Sequence, residues 1–163
     1  MNSDRPPLTV LYLGACTPLA TELESWLAAH LPTGLRWHQA STEPDVETTL
    51  QGTPVDLVVL DGMCDENTAR DRLRVVRSLT PASARLVVLA QPLEPRALTL
   101  LRDGAHEVLA LLTTPPAEAC RTIARALARS GRPVPAFTYP HAQPAPQSSA
   151  GKLVHDLNNL MTS

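Results

Sequence analysis

Aromatic side chains are scarce in this chain. Two Trp, two Tyr and one Phe make up 3% of its 163 residues, while hydrophobic residues reach 44%, enough for a core. That core has to be built from Leu, Val and Ala. Cysteine is scarce as well: Cys16, Cys64 and Cys120 are odd in number, scattered and without C-x-x-C spacing. This argues against a disulfide framework or a zinc site and suits reduced thiols in a cytoplasmic protein. No run approaches the roughly 18 apolar residues that a membrane span needs, and the opening Met-Asn-Ser-Asp-Arg-Pro-Pro lacks the apolar core of a signal peptide. The expectation is a protein with no membrane partner. A net charge of −2 and a pI near 6.2 give no electrostatic basis for binding nucleic acid.

What is present is an alternation of short apolar runs with longer amphipathic stretches. Leu8–Leu13, Leu35–Ala40, Val55–Leu60, Arg85–Ala90 and Val108–Leu112 read as strands. The near-continuous apolar character of Val55–Leu60 and Arg85–Ala90 predicts strands covered on both faces. Helices are expected from Thr17, as a cap with Pro18 behind it, to about Leu31, and over Pro44–Gln51, Thr68–Ser78, Pro95–Arg102 and Pro116–Arg129. Leu19, Leu23, Trp26, Leu27 and His30 fall near one face of the first helix, and Asp103-Gly104 reads as a stop for the fourth. Five βα units in residues 1–130 predict an α/β fold, a doubly wound five-stranded parallel sheet with helices on both faces. Such sheets place ligands beyond the carboxyl ends of their strands. No G-x-G-x-x-G or P-loop string follows any strand, which disfavours nucleotide-binding folds.

The order of elements and two local strings resemble the receiver domain of two-component response regulators, over roughly residues 8–129. Pro54-Val-Asp-Leu-Val-Val-Leu-Asp61 is similar to the receiver's third strand, and Leu100-Leu-Arg-Asp-Gly-Ala-His-Glu-Val-Leu109 to the stretch entering its fifth. The resemblance implies a flavodoxin-like fold with Asp61 at the phosphoacceptor position. It also implies supports that this chain lacks. An acidic pair after the first strand should hold Mg²⁺, and Gly14-Ala15 stand there instead; Mg²⁺ demands hard oxygen ligands. A hydroxyl should end the fourth strand, where Ala90 and Gln91 stand, and a lysine should follow the fifth, where Leu111 and Leu112 stand. Phosphoryl transfer rests on neutralising charge, and one lost electrostatic donor costs about 10²–10³ in rate. The expectation is therefore a pseudo-receiver in which Asp61 is not phosphorylated and no metal or cofactor is held. Rival readings are an active receiver with metal on Asp65 or Glu66, a small-molecule binder at the crevice by Gly14 and Ala15, and a stand-alone interaction module.

Residues 131–151 change character. Pro133, Pro135, Pro140, Pro144 and Pro146 among Gln, Ser and Ala read as an extended linker. Leu153-Val-His-Asp-Leu-Asn-Asn-Leu-Met161 follows, with His155 and Asn159 four apart and so stacked on one helical face beside Leu153, Leu157, Leu160 and Met161. A neutral imidazole is a nucleophile near pH 7, Asp156 can accept its proton, and Asn159 can orient that carboxylate or the phosphate. Residues 152–163 thus resemble the start of the phosphoacceptor helix of a sensor histidine kinase, in its His-Asp-x-Asn-Asn form. That resemblance implies a helix continuing past Ser163, a homodimeric parent, and ATP and Mg²⁺ bound in a catalytic domain outside this chain. Its partners would be proteins of the pathway, a kinase core or a response regulator. Three lesser features complete the reading. Cys16 and Cys64 could approach each other, His106 and Glu107 are expected in solvent, and Arg121, Arg125 and Arg129 mark a solvated face or a docking stripe.

Overall fold

The computed structural model describes residues 5–15, 17–91 and 94–138. Five parallel strands form one sheet in the order β2-β1-β3-β4-β5: β1 Leu8–Leu13, β2 Leu35–Ala40, β3 Leu57–Asp61, β4 Ala84–Leu89 and β5 Glu107–Ala110. Five helices alternate with them: α1 Thr17–His30, α2 Glu43–Gly52, α3 Glu66–Leu79, α4 Glu94–Arg102 and α5 Pro116–Arg129. Every element expected within residues 1–130 is there, and the doubly wound α/β architecture is confirmed.

The pleat explains why the central strands are apolar throughout. On β3, Leu57 and Val59 join one core with Leu23 and Leu27 of α1 and Ile123 of α5. Val58 and Leu60 join the other, with Val46 of α2, Leu73 and Val76 of α3 and Leu100 of α4. Each face therefore needs its own alternate residues, and a strand serving both has no polar side. Tyr12 is the one aromatic in the fully buried set, stacked on Trp37 at 5.8 Å. Aliphatic side chains supply the rest.

Element ends differ from the expectation where side chains replace backbone. β3 begins at Leu57, not Val55, because the Asp56 carboxylate accepts the Thr9 amide at 3.0 Å beside the strand start. β5 ends at Ala110, not Leu112: the Ala110 carbonyl accepts the amides of Thr113 and Thr114 and closes a turn. Leu112 is 63% exposed there. Thr17 is the first residue of α1 rather than its cap. At α4 the expected stop holds: Gly104 sits at φ +117°, where an L side chain is strained, and Ala105 donates to the Leu100 carbonyl.

His106 and Glu107 are not in solvent. The Glu107 side chain is only 13% exposed and pairs with Arg125 at 2.9 Å and Arg129 at 3.0 Å, so two arginines of α5 tie that helix to β5. His106 Nδ1 accepts the Arg85 amide at 2.9 Å, which fixes that nitrogen as unprotonated. Burial, then Arg85 and Arg129, push the His106 pKa below its ordinary value. The unfolded chain thus binds this proton more readily, and stability rises with pH in the window between the two pKa values. The contribution is complete above about pH 6.5 and is lost as pH falls through the depressed value. Thermal midpoints of His106→Gln should fall less than those of the parent between pH 7.5 and 5.5; equal slopes would acquit this histidine.

Beyond α5 the chain turns back along the amino edge of the sheet. Arg132 donates to the Ala82 carbonyl at 2.8 Å and pairs with Asp56 at 3.4 Å, Phe137 packs on the α1/α5 core, and the Thr138 amide donates to the His30 carbonyl. Residues 131–138, the first part of the proline-rich segment, are thus held against the domain as a strap. With Arg5–Pro7 the strap borders an apolar cleft of about 250 Å³. Residues 139–163, including His155, Asp156 and Asn159, lie outside the described residues, as does Cys16.

Candidate functional site: the carboxyl edge at Asp61

The parallel register brings the carboxyl ends of β1, β3, β4 and β5 together. Leu13 lies beside Leu60, Asp61 beside Val88 and Leu89 beside Ala110. Asp61, the last residue of β3, is only 4% exposed. Its Oδ1 accepts the Met63 amide at 2.8 Å and its carbonyl accepts the Cys64 thiol at 3.3 Å, so the turn leaving the strand wraps around it. Asp61 is therefore a buried carboxylate at the carboxyl end of the central strand.

The surroundings decide what this carboxylate can do. Gly14 follows β1 against Asp61 so closely that a Cβ on it would lie 2.2 Å from Asp61 Cβ. No side chain fits there without displacing one strand end. Ala15, next along, is exposed and offers no side-chain oxygen. Asp65 caps α3 instead of reaching the edge: its two oxygens accept the Thr68 amide at 3.0 Å and hydroxyl at 2.6 Å. Thr68, through that side-chain bond first and the amide bond second, holds the Asp65 pKa below the ordinary carboxylate value. Among the described residues no three His, Cys, Asp or Glu side chains converge on a point that could hold a metal. The donor set does not fit Mg²⁺, which takes several hard oxygens in near-octahedral geometry.

The other two supports are replaced by apolar atoms. Met63 lies across the end of β4, its Sδ accepting the Ala90 amide at 3.4 Å where a hydroxyl was called for. Past β5 stand Leu111, half-buried against the core, and Leu112, exposed. The chain's single lysine is Lys152, outside the described residues. Two features of the edge escaped the sequence reading. One is Met63 at the end of β4; the other is Arg96, in the first turn of α4, which donates to the Cys64 carbonyl and so pins the β3–α3 turn. Its signal was available, since the amino ends of helices in such a fold face this edge. The Cys64 thiol is pushed above its ordinary pKa, first by burial and also by Asp61, against the lowering pull of Arg72 and Arg96. It is a thiol rather than a thiolate near neutrality.

No protein-family model matches the chain, and no curated protein matches it in sequence. Solved structures do match in fold. A response regulator from Thermotoga maritima superposes with a TM-score of 0.62 at 17% identity, covering 75% of this chain and 98% of that one. The beryllofluoride-activated NtrC4 receiver domain dimer gives 0.60 at 18% identity, covering 75% and 98%. A CheY-like receiver domain protein from Methanospirillum hungatei gives 0.56 at 13%, covering 77% and 97%. At these identities the likeness is one of fold: the chain has the receiver architecture.

Proposed function

We propose that this receiver-fold domain serves two-component signalling as a pseudo-receiver, a docking or sensory module that works without a phosphoryl group on Asp61. The observation that carries the reading is the contact of Gly14 with Asp61, which leaves no room for the metal-holding side chain at that position. An aspartyl phosphate here would replace the Asp61 carboxylate with a phosphoryl dianion at a buried edge, with no metal site and no lysine among the described residues to offset it. The His-Asp-x-Asn-Asn string at His155, Asp156 and Asn159 supports a place ahead of a histidine kinase core, in a cytoplasmic signalling protein. In that setting His155 is the phosphoacceptor of a homodimeric parent, ATP and Mg²⁺ belong to the parent's catalytic domain, and the pseudo-receiver's partners are proteins. The chain itself holds no cofactor and catalyses no transfer in this reading.

Incubation with acetyl phosphate and Mg²⁺, followed by intact-mass measurement, should leave the protein unmodified at times when an active receiver is labelled. An adduct that accumulates on the parent chain and is missing from Asp61→Asn would overturn the pseudo-receiver reading.

A further inference from the structure

The charged residues of the helices are segregated across the sheet. α1 and α2, beside edge strand β2, carry Glu22, Glu24, Glu43, Asp45 and Glu47 and no Lys or Arg. From β3 across to β5, α3, α4 and α5 carry four, two and three arginines against two, one and one acids. The domain is a charge dipole lying along the sheet, with a net charge of only −2 for the whole chain.

One face shows this polarity in its simplest form. It holds only α1 and α5, one acidic and one basic, flanking the core that contains Leu23 and Ile123. Both helices start at the carboxyl edge and run for 14 residues, and Glu22 and Arg121 are each the sixth residue of their helix. Glu22, Glu24 and Arg121 are exposed and form no ion pair among the described residues. Arg125, though bonded to Glu107, keeps half of its side chain in solvent. On the opposite face, Arg70 is tied to Asp103 and Arg96 to a carbonyl, while Arg74, Arg77 and Arg102 are exposed, so that face shares the polarity but spreads it over three helices. The outward residues between the charges of α1 and α5 are small, with Ala28, Ala29, Ala117 and Ala128 exposed, so helix axes can approach to about 8–10 Å.

We infer that the α1/α5 face is an isologous interface for a second copy of this chain. Charge complementarity fixes the symmetry. A two-fold axis running parallel to the helices sets α1 of each copy on α5 of the other at the same level, acid on arginine, twice. A two-fold axis across the helices would set α1 on α1 and place like charges together, which costs association strongly. No large apolar side chain is exposed on either helix, so the pairing is electrostatic and sensitive to salt.

Sedimentation velocity of the full chain tests this. The dimer fraction should be higher at about 20 mM salt than at about 500 mM, where the Debye length falls to a few ångströms. Glu22→Arg/Glu24→Arg makes both helices basic, and Ala117→Glu/Arg121→Glu makes the exposed start of α5 acidic like α1 while leaving Arg125 on Glu107. Each variant alone should lose affinity by about tenfold or more while keeping the circular dichroism of the parent. An equimolar mixture of the two should pair again, because both helix contacts then match in sign. A parent that stays monomeric at low salt, variants that dimerise like the parent, or a mixture that does not associate would each overturn the interface.

Discussion

Gly14→Asp should lower the thermal midpoint by roughly 10 °C and leave it unmoved by added Mg²⁺. The substitution restores the residue type that the receiver resemblance calls for, so a chain that had lost only a ligand would gain metal binding. Here the added Cβ would meet Asp61 Cβ at 2.2 Å, far inside van der Waals contact. Relief requires the ends of β1 and β3 to separate, although Leu13 and Leu60 are paired there and both are fully buried. Overpacking of this kind costs about 1–3 kcal/mol, and a second carboxylate against Asp61 adds like-charge repulsion in a site of low dielectric. About 3 kcal/mol in total is the expected loss. Ala15→Asp, at an exposed position, should cost little and serves as the control. If Gly14→Asp melted with the parent and Mg²⁺ raised its midpoint, the edge would be one mutation from a working metal site and the steric argument would fail.

Much of the fold was legible in the sequence because its signals are local. Apolar runs such as Val58–Leu60 are buried on both faces, and alternation with amphipathic segments leaves few architectures. Asp103-Gly104 stopped α4 for a backbone reason that one residue type answers. What was not legible depends on register. Gly14 and Asp61 are 47 positions apart, and their collision exists only because β1 and β3 are neighbours with Leu13 beside Leu60. The sequence showed that an acid was missing at Gly14; it could not show that there is no room for one. Glu107 looked like a surface acid, since nothing local says that Arg125 and Arg129, a helix away, reach it. Asp65 was a candidate ligand by chain position, and became a helix cap once Thr68 came within reach of both its oxygens.

Leu100→Ala should be among the most damaging truncations in the domain, while Leu98→Ala, two residues away, should be nearly silent. The α4 string Leu98-Thr-Leu-Leu101 offers three leucines in four positions, and composition treats them alike. The helix does not. Leu100 is fully buried in the core with Leu73, Val76 and Val87, whereas Leu98 is 58% and Leu101 37% exposed. Removing a buried leucine side chain forfeits its transfer energy and leaves a cavity, together about 2–5 kcal/mol. An exposed leucine gives up neither, and changes of about 0.5 kcal/mol or less are usual. The Leu100 carbonyl also accepts the Ala105 amide at 3.1 Å, so loosening this turn of α4 disturbs the Gly104 stop that leads to His106 and Glu107. Urea titrations of the two variants should therefore separate by at least about 2 kcal/mol with similar m-values. Equal midpoints would mean that α4 is rotated about its axis from the orientation described, with Leu98 turned toward the sheet.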